Sequence, residues 1–205
     1  MLPGCRCALD EPRHAVTVKH LAPSRCDHRA MTDEYQPPGG SGTVFAWLDT
    51  LCGQPPYDRM WQWLDNNLRL VYAQQWLLGP GAAFIGPAGR EAAAVERAVP
   101  LPSVLDFEDM LSAYVEHWRG VYADLKCKPC LVGINELVGV DMDMVIVTSE
   151  EYVGEYPDGL PGVQAHTFLT RLIDDEWFIA ANSRRLPRPG WPPTEERIPG
   201  LFDDA

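Results

Sequence analysis

The sequence has no apolar run approaching the roughly 18–20 residues that a membrane-spanning helix needs. Its greasiest stretch, Leu70 to Ile85, is interrupted by Gln74, Gln75, Gly79, Pro80 and Gly81. The first residues lack the apolar core of a secretory signal, and Leu2-Pro3-Gly4-Cys5 has only Met1 before it, too little for a lipoprotein signal. The expectation is a cytoplasmic protein with reduced thiols and no membrane partner. Positive charge is scarce too: 17 Lys/Arg stand against 29 Asp/Glu, a formal charge of −12. Residues 1–30 hold five of those basic residues and three of the acidic ones, which leaves the rest of the chain with 12 against 26, or −14. An acidic body repels phosphate backbones, and no basic stripe with interleaved aromatics offsets it, so a nucleic-acid partner is not expected.

Diagnostic motifs are absent as well. There is no Gly-x-Ser-x-Gly elbow, no His-Glu-x-x-His and no dinucleotide fingerprint. The loop GPGAAFIGPAG at 79–89 lacks the Lys-Ser/Thr tail of a phosphate loop and reads as a surface connection. No cofactor is expected. Cys127-Lys128-Pro129-Cys130 has the spacing of a redox or zinc pair, but it follows a helix and precedes a strand. A redox pair sits at a helix N-terminus, where the dipole lowers the thiol pKa, so buried or incidental thiols are the reading here. Cys5, Cys7, Cys26 and His28, with His14 and His20 nearby, follow no zinc spacing, and no metal site is expected. Asp141 and Asp143 share a strand face beside a turn and read as a solvated rim.

What the sequence does have is a core-forming body. Hydrophobic residues make up 46% of it and tryptophans number seven, enough for a thick, aromatic-rich interior. Residues 1–42 read as a disordered extension, with a flexible joint at Gln36 to Gly42 and Met31 as an alternative translation start. Residues 43–187 read as a single α+β domain, and 188–205 as an irregular acidic tail in which Trp191 is an anchor. Helical spacing links Val44, Trp47, Leu48 and Leu51, then Met60, Trp61 and Leu64, then Leu68, Val71, Tyr72, Gln75 and Leu78. Asp65-Asn66-Asn67 marks a cap between the second and third of these. A short helix covers Glu91 to Ala98. The strongest stripe is Phe107, Leu111, Tyr114, Trp118 and Val121, with Asp106 at its start as a cap and His117 beside it.

From Cys130 the period changes to two. Leu131 to Val138 and Met142 to Thr148 read as strands, and His166 to Arg185 as a closing hairpin. A three-residue loop at Asp174-Asp175-Glu176 puts Ile173 opposite Trp177 and Phe168 opposite Asn182. Both faces of that hairpin are then substantially apolar. His166 and Asn182 gather on one face, at the end away from the turn, although a one-residue change in loop length would part them.

Helices followed by an antiparallel sheet, closed by TFLTRLIDDEWFIAAN, resemble the nuclear-transport-factor-2-like (SnoaL-like) superfamily over roughly Thr43 to Pro187. The resemblance implies N-terminal helices packed on a curved sheet as a cone, a pocket between them, and pairing as dimers through the sheet. It implies no particular catalytic set, and the long helical front Thr43 to Ala98 departs from the family pattern. The expected function is binding of an apolar small molecule. One alternative is acid–base catalysis (an isomerase, dehydratase, cyclase or hydrolase), with His166, Asn182 and His117 as its polar groups. Tyr72, Trp76, Tyr114, Trp118 and Phe168 are the candidate ligand walls. The other alternative is a non-catalytic dimerisation module.

Overall fold

The computed structural model describes residues 39–137, 141–149, 154–155, 161–162 and 164–198, apart from Phe84. The expectations for residues 1–38, including the extension, the alternative start at Met31 and the His/Cys group, lie outside the described residues. Five α-helices come first: α1 Ser41–Cys52, α2 Asp58–Gln62, α3 Asn66–Leu78, α4 Arg90–Ala98 and α5 Phe107–Val121. The strands follow: β1 Pro129–Leu137, β2 Met142–Ser149, β3 Gly154–Glu155, β4 Pro161–Gly162, β5 Ala165–Ile173, β6 Glu176–Ala181, β7 Arg185–Arg188 and β8 Thr194–Arg197. The α+β order read from the change of period holds. Antiparallel neighbours build one four-stranded sheet in the order β1-β2-β5-β6, with β3-β4 and β7-β8 as separate two-stranded pairs.

The stripes of α1 and α2 go where the periodicity sends them, whereas on α3 Gln75 and Leu78 are exposed and Ala73, Trp76 and Leu77 are buried in their place. Val44, Trp47, Leu48 and Leu51 of α1 are buried together with Met60, Trp61 and Leu68. They form one cluster with Phe107, Met110, Leu111, Val115 and Trp118 of α5, and with Val145, Val147, Phe168 and Ile179 of the sheet. The burying face of α5 is therefore rotated slightly from the stripe expected. Val121 is left exposed, and Met110 and Val115 take its place. On the opposite strand positions a smaller cluster joins Met142, Met144, Leu169, Ala180 and Ala181, with Leu186 and Ile198 packed against it. The Asp65 cap is present: its carboxylate accepts a 2.7 Å bond from the Leu68 N–H, and Arg171 donates to its other oxygen at 3.1 Å.

Four expectations need correction. The Gly-rich joint is not free at its end. The Gly40 N–H donates to the Asp143 carboxylate at 2.9 Å, and a side chain at Gly40 would run into Thr170, so this stretch is clamped to β2 and β5. The same bond corrects Asp143, which is buried rather than on a solvated rim; Asp141 alone stays exposed, in the turn. Asp106 flanks the start of α5 but does not cap it with its side chain. Its carboxylate serves Arg97 at 2.5 Å and the Trp76 indole N–H at 3.1 Å instead, partners no local pattern reveals. Finally, the tail is not irregular throughout. β7 and β8 pair antiparallel, with ion pairs Arg185–Glu195 and Arg188–Glu196 at 3.8 Å each. Gly190, not Trp191, ties their connection to the helices, donating its N–H to Gln74 of α3 at 3.0 Å. Strands of charged residues and proline lack the alternating apolar signal, which is why they read as coil.

The closing hairpin is present with a different turn. Asp174 and Asp175 form a two-residue loop, both at positive φ (49° and 65°), so Ile173 faces Glu176 and Leu172 faces Trp177. That one-residue shift turns Ile179 onto the face shared with Phe168, into the main core. A bulge between Leu169 and Thr170 then absorbs the difference. Leu169 pairs with Ala181, the register that the longer loop had implied. Asn182 follows at once.

Candidate functional site

Successive helical turns and one strand bring most of the expected wall residues together. Tyr72 of α3 and Tyr114 of α5 have ring centroids 4.7 Å apart, and Trp118 lies 5.4 Å from Tyr72 and 5.6 Å from Tyr114. Trp47 of α1 meets Trp118 edge-on at 5.0 Å and Phe168 of β5 at 6.1 Å. Tyr122, just past α5, stacks on Phe168 at 5.4 Å. These contacts are worth about 0.5–1.5 kcal/mol each beyond burial, and they fill the interior with rings. Trp76 stands apart, against Gly81 and Asp106. His117 is exposed on the outer side of α5 and joins no site.

Tyr122 and Trp47 were not among the candidate walls, although Trp47 lies in a helical segment the sequence reveals and Tyr122 directly follows another. Tyr122 links the two hairpin candidates. Its ring meets His166 edge-on at 4.9 Å, and the side chain of Asn182 acts on its hydroxyl and on that of Tyr72 to offset part of the effect of burial. Burial pushes the Tyr72 phenol up to about 12, against the lowering effect of Trp118 and Asn182. Burial first, then the neighbouring Tyr72, raises Tyr122 and Tyr114 also. All three phenols therefore stay neutral near pH 7 and act as hydrogen-bond donors, not as bases.

His166 also has a partner that sequence reasoning missed. Its Nε2 lies 2.8 and 2.9 Å from the two carboxylate oxygens of Asp124, and both side chains are only 11% exposed. Asp124 sits in the 3₁₀ turn Ala123–Leu125 that follows α5. The pair thus stitches that turn to β5 across 42 residues of sequence. No spacing rule anticipates it, since the approach depends on how α5 ends.

Two hollows flank this cluster. One, of about 110 Å3, lies between α3 and the β7-β8 ribbon and is bordered by Tyr72, Gln75, Asn182, Ser183, Arg185 and Glu195 among others. The other, of about 210 Å3, opens between α1, the end of α5 and the turn before β1. Leu48, Leu51, Tyr122 and Leu125 wall it, and Arg119 and Lys126 also border it. Arg119 is fixed in place. It donates to the carbonyls of Leu51 at 2.9 Å and Gly53 at 2.8 Å, and its guanidinium lies over the Tyr57 ring. His166 borders neither hollow.

The second hollow also carries a disulfide on its wall, joining Cys52 at the end of α1 to Cys127. The expectation of reduced, incidental thiols therefore does not hold for these two residues. Among the described residues no group of three or more His, Cys, Asp or Glu is placed to hold a metal ion, and no helix is long and apolar enough to cross a membrane. Comparison of the chain with family models, with curated proteins and with solved structures gives no match.

Proposed function

We propose that this chain is a small-molecule-binding α+β protein, and that its ligand is a compact apolar molecule with one anionic group. The observation that carries this reading is the 210 Å3 hollow, apolar on its walls and bordered by Arg119 and Lys126. In a chain of net charge −12, a cationic rim on an apolar cleft favours a carboxylate over a cation. The hollow is smaller than the roughly 300–1,000 Å3 typical of drug-sized ligands, so the molecule is of benzoate or hexanoate size. The cone expected from the nuclear-transport-factor-2-like resemblance belongs to this proposal. The single core that α1, α3 and α5 share with β2, β5 and β6 supports it.

A thermal-shift comparison of benzoate with its neutral isostere benzamide tests the reading. Ligand that binds only the folded state raises the melting temperature in proportion to RT ln(1 + [L]/Kd). Benzoate should stabilise more than benzamide, and the difference should shrink with added salt. Equal absence of any shift from benzoate, hexanoate and their amides would remove the proposal.

The His166–Asp124 pair favours a second reading, acid–base catalysis. A carboxylate that accepts a hydrogen bond from Nε2–H favours the tautomer with its lone pair on Nδ1, the form a general base requires. Such a base must be reachable. Acylation mapping with diethyl pyrocarbonate should modify exposed His117 quickly and His166 slowly. Rapid modification of His166 would transfer the proposal to this reading.

A further inference from the structure

The sulfur chemistry of the second hollow stands independently of whatever the hollow binds. Cys52 and Cys127 are both exposed, with α-carbons 5.7 Å apart across a sequence separation of 75. Cys127 opens the sequence Cys-Lys-Pro-Cys, and Cys130, half-buried at the start of β1, keeps its thiol outside the disulfide. Lys126 and Cys127 hold left-handed backbone in succession, at φ 47° and 58°. Residues with a Cβ adopt that region rarely, and such outliers cluster where a site needs them. Three bonds hold the turn: the disulfide itself, the Lys126 N–H on the Ala123 carbonyl at 3.2 Å, and the Lys128 N–H on the Leu125 carbonyl at 2.8 Å. Lys126 and Lys128 flank Cys127 in the chain, and positive charge nearby favours the thiolate form of an attacking or departing sulfur.

We propose that Cys52, Cys127 and Cys130 form a thiol–disulfide exchange site. The Cys130 thiol gives its proton to solvent, and its thiolate attacks Sγ of Cys127. A Cys127–Cys130 bond forms, the Cys52–Cys127 bond breaks, and the electron pair leaves on Cys52, which takes a proton from solvent. Nothing is oxidised or reduced overall, so no outside reagent is needed. The new bond holds the α-carbons of residues 127 and 130 within about 4.4–6.8 Å, beside the first rungs of β1, which pairs Pro129 with Ser149 and Cys130 with Thr148. It also cuts the covalent tie between α1 and the turn, leaving Arg119 on the Leu51 and Gly53 carbonyls to hold the end of α1. Exchange would therefore loosen one wall of the hollow.

The test uses the full chain with Cys5, Cys7 and Cys26 changed to Ser, so that only the three proposed cysteines remain. After incubation without reductant at about pH 8, near the ordinary thiol pKa, it is quenched in acid, labelled with N-ethylmaleimide and mapped by mass spectrometry. Two bridged forms are expected, Cys52–Cys127 with label on Cys130 and Cys127–Cys130 with label on Cys52. In the Cys52→Ser variant all the bridge should be Cys127–Cys130 after mild oxidation. A parent chain bridged only between Cys52 and Cys127, with all label on Cys130, would overturn the proposal.

Discussion

The two hollows beside the aromatic cluster have no lining residue in common, and they differ in chemistry. Around Tyr72 and Asn182 the lining mixes polar groups (Gln75, Ser183, Arg185, Glu195) with apolar ones, and burial keeps the Tyr72 phenol protonated. Around Tyr122, Leu48 and Leu125 the lining is apolar, with fixed positive charge at its rim and a disulfide in its wall. A compact apolar ligand with one charge suits the second lining better than the first. The contrast places the binding proposal at the second hollow and leaves the first to hold the hairpin in register.

The largest expected effect tests the aromatic cluster that the hollows flank. Trp118→Ala should cost about 3–5 kcal/mol in urea unfolding, because its 1%-exposed ring touches Trp47, Tyr72 and Tyr114. A loss under about 1 kcal/mol would mean the cluster is not the core described. On the apolar side, reducing the Cys52–Cys127 bond, or replacing both residues with Ser, should lower stability by about 2–4 kcal/mol, since it releases a loop of 75 residues. On the polar side, pH separates the two. The folded-state pKa of Tyr72 is raised from 10.0 to about 12, so the fold retains a proton that the unfolded chain releases. Stability from this group is full below pH 10 and falls as pH rises from 10 to about 12, by about 2–3 kcal/mol in all. Absorbance at 295 nm should show late-titrating phenols together with alkaline unfolding. Ordinary titration of every tyrosine in the folded state would contradict the burial of these phenols. Smallest, Asn182→Ala should cost about 1–2 kcal/mol and leave benzoate binding unchanged. Lost benzoate binding in that variant would move the ligand to the polar hollow.

Much of this was legible in the chain. Periodicity located the helices, and the burial of Trp47, Trp61, Phe107 and Trp118 follows from it. The pairing that set His166 and Asn182 on one face rested on a turn of the wrong length, and the Leu169/Thr170 bulge restores its register at Leu169 and Ala181. A bulge depends on sheet twist and neighbouring strands, and sequence alternation alone does not announce it. Asp124, Arg119 and Cys52 were illegible as partners for the same reason in another form. Each meets its partner across 42 or more residues, through the angle at which α5 ends and the chain turns into β1. The polar roles of Asp106 and Asp143 were misread because a carboxylate near a helix start or a turn looks local, and here both serve distant donors.

The central claim is that the apolar hollow is the binding site, and occupying it with protein tests that most directly. Ala123 is exposed on its border, so Ala123→Trp should fill the hollow without disturbing the core. Isothermal titration with benzoate should then show binding to the parent chain and none to the variant, with both melting within a few degrees of each other. Equal benzoate binding by the two proteins would contradict the account.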